Sequence, residues 1–249
     1  MSTPLVLFGP DGEQWTKYAA GDQRWPLGTK LIVQDGREYR FAKAGAAALV
    51  IGDLLQSPAI VANDVGRTGI AAAVGSLVPT LTLGGATTAN LYAEGYWVNT
   101  VANASAVGGA DQYKIDNHLA GTTAVVFNLA ARNAIRVAID TTTRVALIPN
   151  PYAGVIQAPG TALTAPPCGV AVSTIALTGF GWVQTKGVAA ILTHGTVVAA
   201  QPVAYLATAG AVDPLSATIA STVTQPVIGN VIRVSAAAAW SVVMMPGLS

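Results

Sequence analysis

Charge is what this chain of 249 residues has least of. Between Arg144 and Lys186 stand 41 consecutive residues with no Asp, Glu, Lys or Arg, and charged side chains make up 10% of the whole, against about a quarter in an average soluble domain. Thirteen basic and twelve acidic residues leave a formal net charge of +1, which supplies no field for a polyanion, so nucleic acid is not an expected partner. The single cysteine, Cys168, excludes an intrachain disulfide and a Cys-rich zinc site. Following Pro166-Pro167 in an apolar run, it reads as a small buried hydrophobe. The two histidines, His118 and His194, lie in different segments without an HxH or HExxH spacing or a carboxylate cluster, so no metal is expected.

Other absences narrow the function further. There is no GxSxG nucleophile elbow, no P-loop and no third glycine to make Gly179-Phe180-Gly181 a dinucleotide loop. Asp116-Asn117-His118 falls at a strand end, where Asp and Asn make turns. No catalytic residue and no cofactor are therefore predicted, and the chain is not expected to be an enzyme. Asn103-Ala104-Ser105 matches a glycosylation sequon, a chance match given the start of the chain. That start has no basic region ahead of a long apolar run, which predicts synthesis in a cytoplasm. Residues 68–93 are uncharged but diluted by glycine, proline and threonine, so no membrane partner is expected.

What is present is apolar and punctuated. Hydrophobic residues are 52% of the chain and the mean hydropathy is +0.50, with glycines and prolines scattered through the uncharged run. Such a chain buries itself as short strands and ordered loops. Asp35-Gly36 between Lys30–Gln34 and Arg37–Ala44 predicts a two-residue hairpin with Ile32 opposite Tyr39. Leu77, Pro79, Leu81 and Leu83 alternate with Val78, Thr80 and Thr82 as an edge strand does. Further strands are predicted at 91–101, 112–116, 124–129, 134–140, 144–148, 181–185, 188–193, 203–207, 227–234 and 240–245, with His194-Gly195 turning one of them back. The alanine-rich stretch 235–239 is too short for a helix.

The spacing predicts an all-β protein of antiparallel sandwich or barrel domains with an extended N-terminal arm. The expected division is an arm over 1–28, a β domain over 29–108 and a second β domain over 109–249, the boundary falling in the small residues 106–110. In the arm, Pro4, Pro10 and Pro26 argue against regular structure, while Phe8, Trp15, Tyr18 and Trp25 need covering, by the same domain or by a neighbour.

The series Tyr113-Lys114-Ile115, Ala134-Ile135-Arg136-Val137-Ala138, Leu147-Ile148-Pro149-Asn150-Pro151-Tyr152, Gly169-Val170-Ala171-Val172 and Gly181-Trp182-Val183-Gln184-Thr185-Lys186-Gly187, in that order and spacing, resembles virion structural proteins of tailed phages. Asp35 to Gly45, and Leu81-Thr82-Leu83 through Glu94-Gly95-Tyr96-Trp97, extend the likeness over most of the chain beyond residue 28. The resemblance implies a capsid decoration or cement protein on the outer surface of the virion. It implies the major capsid protein as partner and a homo-oligomer, typically a trimer. Candidate interface residues are Phe8, Trp15, Tyr18, Trp25, Tyr152 and Trp182. An alternative is a head fibre or glycan-binding module, for which Glu94-Gly95-Tyr96-Trp97-Val98-Asn99 is the best aromatic platform.

Overall fold

A computed structural model describes residues 6–101, 110–205, 208–215, 226–235 and 239–248. The chain is all-β, as the spacing predicts. Its strands open with β1 (Val6–Gly9), β2 (Lys17–Tyr18), β3 (Lys30–Val33), β4 (Glu38–Ala44) and β5 (Leu54–Gln56). Next come β6 (Arg67–Thr68), β7 (Thr80–Leu81), β8 (Tyr96–Val101), β9 (Gln112–His118), β10 (Val125–Leu129) and β11 (Arg144–Ile148). The last are β12 (Ala153–Gln157), β13 (Pro167–Ala171), β14 (Phe180–Leu192), β15 (Pro202–Ala204), β16 (Asp213–Pro214), β17 (Val227–Arg233) and β18 (Trp240–Met245). Among the described residues no helix is long and apolar enough to cross a membrane.

The division into units differs from the expected one. One unit comprises Met1–Pro58 and Pro151–Ser249, and the other is an insert, Ala59–Asn150. The expected boundary at 106–110 lies largely outside the described residues, but the strands flanking it are hydrogen-bonded neighbours, with Trp97 opposite Tyr113. A boundary there would cut through a sheet. The insert instead leaves and re-enters through β5 and β12, which pair antiparallel in the host unit, Gln56 opposite Ile156. Sequence gives no local sign of this, because the pairing joins residues about a hundred positions apart.

In the host unit the pairings close on themselves as β4–β12–β5–β13–β14–β4. Alternation then gives β4 and β14 two buried faces. Ala42, Ala44 and Val183 point to one cluster with Leu55, Val155, Cys168 and Ile175, while Tyr39, Phe41, Phe180 and Trp182 point to another with Leu31 and Val33. Beyond Gly187, whose φ of +93° marks a kink, β14 continues antiparallel with β18, followed by β17, β15 and β16. The two strands expected at 181–185 and 188–193 are therefore one strand, kinked at Lys186-Gly187. Ile191, Val203, Tyr205, Val231 and Val243 fill a third cluster beneath this part.

The hairpin at Asp35-Gly36 forms, but its register is corrected. Gly36 takes φ +84° and Val33 N–H donates to Arg37 O at 3.1 Å, so the loop holds three residues, not two. Leu31 thus pairs with Tyr39 and Ile32 with Glu38. A slip of one residue exchanges the faces. Leu31 and Val33 are buried where Ile32 was expected.

The insert is a six-stranded sheet in the order β6-β11-β8-β9-β10-β7, and a bridge between Gly69 and Leu81 joins its two ends. Trp97, Tyr113, Phe127, Leu81 and Leu147 are among the side chains that fill it. The strand expected at 134–140 is absent. Ile135 and Ile139 instead reach the 72–76 stretch at separate points, through Ile135 N–H to Ser76 O and Ile139 N–H to Ala72 O, each at 2.9 Å. His194-Gly195 makes no hairpin either, since Thr193 bridges in parallel to Val212. The 235–239 stretch falls mostly outside the described residues.

The expected N-terminal arm is also corrected. β1 runs parallel to β3 over four pairs, from Val6–Lys30 to Gly9–Val33, and β2 pairs with the start of β14. Pro4 and Pro10 flank β1 and withhold no donor from within it. The segment is an edge layer of its own unit.

Candidate functional site

The six aromatic candidates separate cleanly by burial. Trp182 has no exposed surface and its ring stands edge-on to Phe41 at 5.2 Å between centroids. Tyr152 is 8% exposed, belongs to the cluster inside the closed ring of strands, and has its hydroxyl pushed up to about 12 by burial. Neither is a contact surface, which corrects the expectation for both. Tyr18 and Trp25 lie half-covered against the Phe41–Trp182 cluster together with Leu7 and Leu27, Tyr18 meeting the Phe41 ring edge-on at 5.8 Å.

Phe8 and Trp15 remain outside. Phe8 on β1 is 82% exposed and Trp15, on the 3-10 turn Glu13–Trp15, is 55% exposed. Their backbone is nevertheless fixed. Fully buried Gln14 accepts from Gly12 N–H at 2.8 Å through Oε1 and donates to Asp11 Oδ1 at 2.7 Å. The Arg37 guanidinium then ties Asp11 at 2.9 Å and Asp35 at 2.6 Å to the β3–β4 turn. Two large apolar rings are held in water on an ordered edge, and each is a candidate anchor for another surface.

A second apolar surface was missed in the sequence. On the sheet of β14, β18 and β17, inward Ala189, Ile191, Val231 and Val243 are buried, whereas outward Val188, Trp240, Met244 and Ile232 are 44–55% exposed. The run Trp240-Ser241-Val242-Val243-Met244-Met245, apolar at every position but one, was the available signal.

The titratable groups have structural partners. His118 is buried; its Nε2 accepts from Tyr92 N–H at 3.0 Å and its Nδ1 lies 2.8 Å from Leu119 O. The ring is thereby set as the neutral Nδ1–H tautomer, and burial lowers its pKa. Tyr92 OH donates to Asp64 Oδ2 at 2.5 Å, and burial with that bond raises its pKa. His194 is paired differently, with Nδ1 2.7 Å from Asp213 Oδ1 and most of its ring exposed. Among the described residues no Ser, Thr or Cys hydrogen-bonds this imidazole; Thr193 Oγ1 is engaged with Ala239 O and Ser241. Cys168 is buried, with its thiol pushed up to about 12 by burial.

The aromatic platform at 94–99 is half dismantled by the fold. Trp97 is buried, its Nε1 donating to Asn99 Oδ1 at 3.0 Å, and Tyr96 lies under Lys114 Nζ at 4.7 Å. The insert carries instead a groove of about 660 Å³ lined by Gln112, Tyr113, Arg132, Asn133 and Arg136.

Comparison of the chain with protein-family models, with curated proteins and with solved structures gives no match.

Proposed function

We propose that this chain is a structural, non-catalytic component of a phage particle, a decoration protein that binds the outside of the head and bridges copies of the major capsid protein. The observation that carries the reading is the pair Phe8 and Trp15, 82% and 55% exposed on a backbone pinned by Gln14, Asp11 and Arg37. An anchor already ordered before contact loses little entropy when it docks. The nearly neutral, charge-poor chain also suits a contact made by apolar fit. Shells assembled without this chain provide the test. Wild-type protein should bind them, and Phe8→Ser/Trp15→Ser should bind at least about thirtyfold more weakly, the effect of losing roughly 2 kcal/mol at an anchor. Equal binding by both, or none by the wild type, overturns the proposal.

A second reading, a glycan-binding head-fibre module, draws on the groove with Arg132, whose guanidinium beside the amides of Gln112 and Asn133 suits an acidic sugar, Arg136 being held by Asp111. Binding of sialylated or sulfated glycans that is lost in Arg132→Ala would favour it.

A further inference from the structure

We infer that the outward face of the β14–β18–β17 sheet is buried between copies of this chain. The inference rests on the proposed assembly role and adds to it the surface through which the protein meets itself. The register places Val188 opposite Met244, Ala190 opposite Val242 and Leu192 opposite Trp240. Ile232 continues the row across the irregularity between Val231 and Arg233.

These side chains are apolar, while Asn230 opposite Met244 and Arg233 opposite Val242 stand among them, and Asp35, Arg37 and Lys186 border the end formed by Val188 and Met244. The opposite side of the same strands carries the buried cluster of Ile191, Val231, Val243 and Met245. The sheet is therefore largely apolar on both faces with only one covered, the pattern of a sheet that packs on two sides. Trp240 extends the face further. Its ring lies against the backbone of Gly52, so close that a Cβ there would stand 2.1 Å from Trp240 Nε1, and Val50 and Ile51 beside that glycine are themselves 51% and 49% exposed.

Area and charge favour a second copy as the occupant. Half-exposed side chains of this size leave on the order of 600 Å² of apolar surface on the face and its border. A stable interface removes about 800 Å² per partner, of which roughly 500 Å² is apolar. One face thus meets the apolar requirement of an oligomer by itself. The charges at its border are of both signs, Asp35 beside Arg37 and Lys186, and a formal net charge of +1 adds no long-range repulsion between copies.

Sedimentation of the full chain tests the inference. Wild-type protein at tens of micromolar should run as an oligomer, Val188→Asp/Met244→Asp as a folded monomer, and Phe8→Ser/Trp15→Ser as an oligomer still. Hydroxyl-radical footprinting of wild-type protein gives a readout free of any folding defect. Oxidation of Met244 and Trp240 should fall at least fivefold between nanomolar and tens of micromolar protein, while that of Phe8 stays constant. A monomeric wild type, or concentration-independent oxidation of Met244, overturns the inference. So does an oligomer that survives Val188→Asp/Met244→Asp. Shell binding by that variant is scored separately: if it still binds shells, the decoration reading stands whatever the fate of this face.

Discussion

Replacing Trp182 with Ala separates a core aromatic from a contact aromatic. Trp182 is fully buried between Phe41, Phe180 and the edge layer carrying Tyr18 and Trp25. Removing the indole should cost about 3–5 kcal/mol, the range for a large aromatic taken from a packed core. For a unit of this size each kcal/mol lowers Tm by roughly 2–4 °C, so the transition should fall by about 6–20 °C. Among the described residues Trp182 Nε1 has no hydrogen-bond partner, so Trp182→Phe loses only volume and should fall well short of the alanine variant. Phe8→Ala, at a position 82% exposed, should change stability by no more than about 0.5 kcal/mol. Calorimetry and urea unfolding monitored by circular dichroism measure all three. A Trp182→Ala protein as stable as its parent, or a Phe8→Ala protein that melts many degrees lower, would refute the assignment of the two rings.

Three further outcomes are expected. His118 has a folded pKa below its ordinary 6.5, so the unfolded chain takes up the proton first; stability from the neutral ring is complete above pH 6.5 and is lost as pH falls below it. Urea midpoints should therefore drop between pH 7.5 and 5.5 in wild-type protein and drop less in His118→Gln, and parallel losses would refute the role. Cys168, buried with its thiol at about 12, should resist Ellman's reagent in native buffer and react fully in denaturant; reaction of the native protein within seconds would contradict its placement. Deleting residues 2–25 removes β1, β2 and the cover over Phe41 and Trp182, so the truncated chain should lose its cooperative melt, and a near-native melting curve would show that the segment is no part of the core.

How much of this was legible in the sequence depended on range. Strands whose evidence is local were readable: β11 and β18 occupy the expected residues Arg144–Ile148 and Trp240–Met245, and Asp35-Gly36 marks a real hairpin. The register of that hairpin was not readable, because it turns on whether Gly36 forms part of a three-residue loop. β12 and β13 escaped notice because Gly154 at φ +93° interrupts the first and Pro167 opens the second. The insertion and the closure of β4 onto β14 join distant residues and leave no local pattern. Phe8 and Trp182 looked alike as aromatics among glycines; the fold separates them, because β14 is buried on both faces from Phe180 to Thr185 while Phe8 stands on the edge strand β1.

The uncharged stretch from Val145 to Thr185 acquires a different meaning in the folded chain. Read alone it suggests apolar surface saved for another subunit. Two of its strands are instead covered by their own unit: four of the five residues of β13 are buried, as are the first six of β14, from Phe180 to Thr185. Charges are missing there because a charged side chain on either face would be buried without a partner. That account does not extend to the uncharged end of the chain, 234–249, where Trp240 and Met244 stand 55% and 45% exposed on a strand whose alternate residues are buried. No burial within the unit explains the lack of charge on that outer row. The sequence-level case for association therefore rests on β18 and its neighbours, and the longer uncharged run reports on the core.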